Sequence, residues 1–144
     1  MRPLVIDTNI ALDLLVFRDA STVALQQALA EGRLRWIATS SMRGEFERVL
    51  GYAPIAARLA LLGATAQQML GAFDRHACLV DAAPRAPLDC SDPDDQGFID
   101  LAVQHACILL SKDAAVLALR PRLAALQVTA GPVLPLSSYS LSQR

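Results

Sequence analysis

Five short apolar runs punctuate the chain: PLVID at 3–7, LRWIA at 34–38, CLVD at 78–81, CILLS at 107–111 and GPVLPL at 131–136. The first is continuously apolar up to its final Asp, with no in-out alternation. Runs of this kind suit strands buried on both faces of a parallel sheet. The prolines of GPVLPL exclude a central place, so that run is expected at the sheet edge.

The segments between these runs read as helices. Asp19-Ala20-Ser21 can cap a helix whose stripe of Val23, Leu25, Ala28 and Leu29 ends at Gly32. Thr39-Ser40-Ser41 is an N-cap cluster, followed by Phe46, Val49 and Leu50 on an apolar side and closed by Gly51. Residues 54–76 are rich in Ala and Leu, and Gly63-Ala64-Thr65 divides them into two helices. The proline-rich stretch AAPRAPLDCSDP at 82–93 is a loop, too short for a domain linker. A helix then starts near Pro93, with Phe98, Leu101, Ala102 and His105 sharing one face. DAAVLAL at 113–119 is a short helix, stopped by Pro121. The order β-α-β-α-α-α-β-α-β-α-β predicts an α/β fold with a mainly parallel sheet covered on both faces. Residues 1–136 form a single domain, and 137–144 are a polar tail.

Composition narrows the function. A chain of 144 residues with 53% hydrophobic and 19% charged residues is one globular domain. Its formal net charge of −1 offers no basic surface to announce a nucleic-acid partner. Any such partner must be gripped locally, or by way of bound cations. The three cysteines, Cys78, Cys90 and Cys107, include no C-x-x-C pair, which fits a reducing compartment. Two are expected as buried soft hydrophobes and one as a loop thiol. Arg2-Pro3 leads into only a short apolar run, unlike a signal peptide, and no stretch reaches the ~20 apolar residues of a membrane span. A cytoplasmic protein is the expectation.

In parallel α/β folds, ligands bind at the carboxyl ends of the strands. Four segments deliver acid there. The first strand ends at Asp7, and the helix after the second carries Glu45. The helix after the third opens with Asp92-Pro93-Asp94-Asp95, and Asp113 follows the fourth strand. Taken singly, each reads as a turn, cap or solvated helix residue. Together they are costly without a cation, because carboxylates repel one another. Hard oxygen ligands suit Mg²⁺ or Mn²⁺, and one or two such ions can activate water and stabilise a phosphoryl displacement. Thr8, Asn9 and Ser111 can orient the acids by hydrogen bonds. Glu47 lies two residues from Glu45, about 200° round the helix, and should face solvent. Lys112 and Arg43 are candidates to meet a substrate phosphate, although solvated surface is the simpler reading of each. His76 and His105 read as structural, and Trp36 as core.

The pieces VIDTNI at 5–10, GEFERVL at 44–50, DPDDQGFIDLA at 92–102 and LLSKD at 109–113 resemble, in this order, the PIN-domain nucleases. They are most similar to the PIN-family toxin components of toxin–antitoxin systems. The resemblance implies a three-layer α/β/α sandwich around a central parallel sheet. It also implies Mg²⁺- or Mn²⁺-dependent cleavage of phosphodiester bonds, usually in RNA. By position, Asp7, Glu45, Asp95 and Asp113 match the family's acidic residues. Asp92 or Asp94 can join the third position. Thr8, Asn9 and Ser111 match its polar supporters. Gln96 stands where some relatives carry another acid. The same resemblance implies a cognate antitoxin protein and a homodimer, with the apolar surface of the 54–76 helices open to either. The alternatives are a PIN nuclease of RNA processing outside toxin–antitoxin systems, or a PIN-like module that binds RNA or protein without cutting. Receiver domains and haloacid-dehalogenase-type phosphatases fit poorly, because Asp7-Thr8-Asn9 lacks the Asp-x-Asp of the latter and CLVDAAP lacks the acceptor pattern of the former. No G-x-x-x-x-G-K-[ST] or G-x-G-x-x-G motif appears.

Overall fold

Leu4, Val5 and Ile6 lie in register beside Ile108, Leu109 and Leu110, and all six are buried. This pairing of the first and fourth strands is the centre of the molecule. The structure is a computed structural model that describes residues 1–135. Five strands, β1 (Arg2–Ile6), β2 (Leu34–Ala38), β3 (Ala77–Leu79), β4 (Ile108–Leu110) and β5 (Thr129–Gly131), form one sheet in the order β3-β2-β1-β4-β5. Every pairing is parallel. The continuous apolar runs are explained: Val5, Ile37 and Leu109 are fully covered, and each such burial contributes about 1.5–3 kcal/mol.

The helices are α1 (Thr8–Leu12), α2 (Val23–Ala30), α3 (Ser40–Leu50), α4 (Ala53–Leu62), α5 (Ala66–His76), α6 (Gln96–His105), α7 (Ala114–Leu117) and α8 (Arg120–Ala125). The connections β1-β2 and β2-β3 step one way across the sheet, and β3-β4 and β4-β5 step the other. Right-handed crossovers therefore place α2–α5 on one face and α6–α8 on the opposite face. The reversal falls between β1 and β4, which opens a crevice at their carboxyl ends.

Local signals explain most boundaries. Thr39 and Thr65 accept from the third helical N–H of α3 and α5. Gly63 ends α4 with φ +65°, a conformation that costs glycine no side-chain clash. The aromatic layer under β2 joins Trp36 edge-on to Phe73 at 4.7 Å, with Phe46 5.2 Å beyond. Trp36 is thus core.

After β1, α1 starts at once at Thr8 and runs into a π-helical turn, Asp13–Phe17, which Arg18 ends in the left-handed region. Three expectations need correction. The last strand is Thr129–Gly131 rather than residues 131–136, although it does lie at the edge. Pro132 supplies no N–H to extend it, and residue 136 lies outside the described residues, as does the tail 137–144. Pro121 does not stop a helix but sits in the first turn of α8, where a missing N–H costs nothing. Of the cysteines only Cys107 is buried, and burial pushes its thiol up to about 12. Cys78 is exposed on the short strand β3 and Cys90 is half-buried in the loop. Among the described residues, no helix is long and apolar enough to cross a membrane.

Candidate functional site

Asp7 is the first residue beyond β1 and is 3% exposed. Its Oδ1 accepts from the Ile10 N–H at 2.9 Å, capping α1. Its Oδ2 accepts from the Ser111 hydroxyl at 2.5 Å, across the gap between β1 and β4. The same Ser111 oxygen accepts from the Asp113 N–H at 3.1 Å. Asp113 in turn caps α7 through the Ala115 N–H at 2.9 Å. Capping and site-building are therefore not alternatives. A carboxylate has two oxygens, and one held by a backbone N–H aims the other.

Between β3 and α6, Asp92 opens a 3₁₀ turn, Pro93–Asp95, accepting from the Asp94 N–H at 3.0 Å. In such a turn residues three apart eclipse one another. Asp92 and Asp95 thus fall on one side and Asp94 on another. Asp92, Asp95 and Asp113 each offer a carboxylate oxygen within 4.8 Å of the other two. Asp95 is the tense member. It is 8% exposed, and its Oδ2 is buried with no hydrogen-bond partner. Burial first, then contact and repulsion from Asp113, Asp92 and Asp7, push its pKa up to about 7.

Glu45 approaches from α3. Burial raises its pKa, the Thr8 hydroxyl donates to it, and Arg48, Asp94 and Asp7 act on it through charge. Asp7 is raised too, because burial, with the charge of Asp113, outweighs the hydrogen bonds from Ser111 and Ile10 and the charge of Lys112, all of which pull it down. The acids thus fall into a tight triad of Asp92, Asp95 and Asp113, and a looser pair of Glu45 and Asp94. Asp7 acts electrostatically on both.

The expected residues divide accordingly. The structure brings together Asp7, Glu45, Asp95 and Asp113 with their supporters Thr8 and Ser111, while Asn9 faces solvent. Asp92 belongs to the triad itself, three residues before Asp95 and on the same side of the turn. Glu47 is exposed, as the helix geometry requires. Neither phosphate candidate is unengaged. Arg43 makes two hydrogen bonds to Asp74 of α5, at 2.7 and 2.9 Å, because it lies on the side of α3 that packs against that helix. Lys112 pairs with Asp13 of the π turn. Gln96 does not replace an acid of the cluster. It turns into the loop, where its amide oxygen accepts from the Cys90 N–H at 2.8 Å and its nitrogen donates to the Leu88 carbonyl and to Asp100. Asp100 also accepts from the Ala86 N–H. Nothing in the local sequence marks Gln96 and Asp100 as a loop clamp except their i,i+4 spacing. A cavity of about 840 Å³ between the π turn, α2 and the α4–α5 hairpin contains none of the acids.

A cation would resolve these strains. The donors are all carboxylate oxygen, and one buried oxygen lacks any proton donor, so the residues present fit a hard divalent ion. Asp92, Asp95 and Asp113 would hold it, with Asp7 adjoining. A parallel α/β domain that gathers carboxylates at the crevice between β1 and β4 defines a metal-dependent nuclease fold. The PIN domain matches residues 3–115, most of its length, and the chain belongs to the PIN-domain family. PIN domains are generally nucleases that need divalent metals. No curated protein matches the chain.

Proposed function

We propose that this protein is a Mg²⁺- or Mn²⁺-dependent endoribonuclease that hydrolyses RNA phosphodiester bonds, and that it acts in the cytoplasm as the toxin of a type II toxin–antitoxin pair. The observation that carries the catalytic part is the buried, unpartnered Oδ2 of Asp95 inside a triad of acids. A buried carboxylate beside two other acids is costly unless a proton or a cation compensates it. When bound, a divalent ion supplies water activation and neutralises charge on the scissile phosphate. The chain's own part is orientation. Ser111 and the Ile10 N–H hold Asp7, Thr8 holds Glu45, and the Ala115 N–H holds Asp113.

The toxin reading rests on the resemblance of the motifs. It is supported by the apolar surface of α4, where Leu61 and Leu62 are 83% and 51% exposed, an area suited to a protein partner or a second copy. Single-stranded RNA incubated with the protein and Mn²⁺ should be cut, and Asp7→Asn should reduce cutting at least 100-fold. Equal cutting by wild type and variant across several RNA substrates would sink the nuclease reading and leave a binding module. A clean monomer by mass in solution would remove the homodimer. A small neighbouring gene product that neither binds nor inhibits would remove the antitoxin.

A further inference from the structure

We infer that Arg48 and Tyr52 form a subsite for one nucleotide of a single-stranded RNA, the ring stacking on an unpaired base and the guanidinium meeting the adjacent phosphate. This rests on the nuclease reading above and names where its substrate lies. Two adjoining clefts, of about 340 and 300 Å³, share Ser41, Glu45 and Asp94. The first runs from the acids toward Thr39 and Asp100. The second leaves them in the other direction, past Arg48 and Val49 to Tyr52. Glu45 thus sits where the two meet, and a chain passing over it must enter the second cleft.

The chemistry of that cleft suits a nucleotide. Arg48 is three residues beyond Glu45 on the same face of α3, and its charge is felt at the Glu45 carboxyl. Four other cations are neutralised: Arg43 by Asp74, Lys112 by Asp13, Arg33 by Glu31 and Arg85 by Asp89. Arg48 has no ion pair among the described residues, and it lines a cleft that otherwise repels phosphate through Glu45 and Asp94. Tyr52 is 53% exposed. Its backbone is fixed between α3 and α4, the N–H donating to the Val49 carbonyl at 3.0 Å and the carbonyl accepting from Ala56 at 2.8 Å. The backbone that carries the ring is therefore a fixed corner between the two helices. A chain with net charge −1 must grip nucleic acid locally, and stacking plus one guanidinium is the economical way to do so. Bases in a duplex are already stacked and cannot reach such a platform.

The test measures KM and kcat on a single-stranded RNA dodecamer in Mn²⁺, with melting temperatures confirming that each variant folds. Tyr52→Ala should raise KM about 5- to 100-fold, the range for losing one stacked base, with kcat within about twofold. Tyr52→Phe should retain the wild-type KM. Tyr52→Leu, which keeps apolar bulk for folding, should lose most of the affinity. Arg48→Gln should raise KM and flatten the dependence of log affinity on log salt by about 0.7, the value for one phosphate contact on a single strand. Unchanged KM in Tyr52→Ala or Arg48→Gln, with an active wild type, overturns the subsite alone. So does a Tyr52→Phe as weak as Tyr52→Ala. A wild type that neither cuts nor binds the strand in Mn²⁺ overturns the nuclease reading, and the subsite with it.

Discussion

Replacing Asp95 by Asn should stabilise the metal-free protein at alkaline pH. Asp95 is buried against Asp113 and Asp92, and its pKa stands at about 7 instead of 3.8. A carboxyl raised in the folded state makes that state bind more protons than the unfolded chain, so stability falls as pH rises. The loss begins near 3.8 and is complete above about 7. The gap between the two values corresponds to at most about 4 kcal/mol. Asp92 and Asp113 are half-exposed, so water screens the repulsion and about 1–2 kcal/mol is the better expectation. The amide that Asp95→Asn introduces carries no charge and can donate to Asp113. Urea unfolding in EDTA should therefore show Asp95→Asn more stable than wild type by about 1–2 kcal/mol at pH 8 and nearly equal at pH 4. Saturating Mn²⁺ should reverse the order at pH 8, because binding at 100 times Kd adds about 2.7 kcal/mol to a protein that keeps its ligands. A wild type at least as stable as the variant at pH 8 in EDTA would refute the reasoning, since Asp95 would then not be a repelled, cation-seeking group.

Ser111→Ala removes the donor to Asp7 and the acceptor for the Asp113 N–H; Mn²⁺ affinity measured by calorimetry should fall about 10- to 100-fold, as for other groups that orient ligands, and unchanged affinity would mean that Asp7 needs no such support. Gln96→Ala strands the Cys90 N–H and the Leu88 carbonyl, at a cost of about 1–3 kcal/mol. Hydrogen exchange at Ala86 and Cys90 should quicken while β1 and β4 stay protected; uniform quickening across the sheet would mean that Gln96 holds the whole fold rather than the loop.

Much of the architecture was written locally. The apolar runs at 3–7, 34–38 and 107–111 became β1, β2 and β4, because strands covered on both faces are built mostly of apolar residues, with only Arg35 of β2 left exposed inside a run. Thr39, Gly51, Gly63 and Thr65 mark helix ends, since the orphan N–H and carbonyl groups there need particular neighbours. Four acidic positions were legible because each follows an apolar run, and parallel sheets collect such positions at one edge. Other features had no local signature. The loop that carries Pro93–Asp95 up to Asp113 decides that Asp92 joins Asp95 there, while Asp94 faces Glu45. Arg43 and Lys112 look like free cations in a linear chain, yet Asp74 and Asp13, 31 and 99 residues away, neutralise them. Gln96 looks like a lost acid until the loop folds over it. Composition, periodicity and caps act over a few residues and so belong to the sequence. Which carboxylates share a site, and which cations remain to meet a substrate, depends on segments distant in the chain, and only packing brings those together.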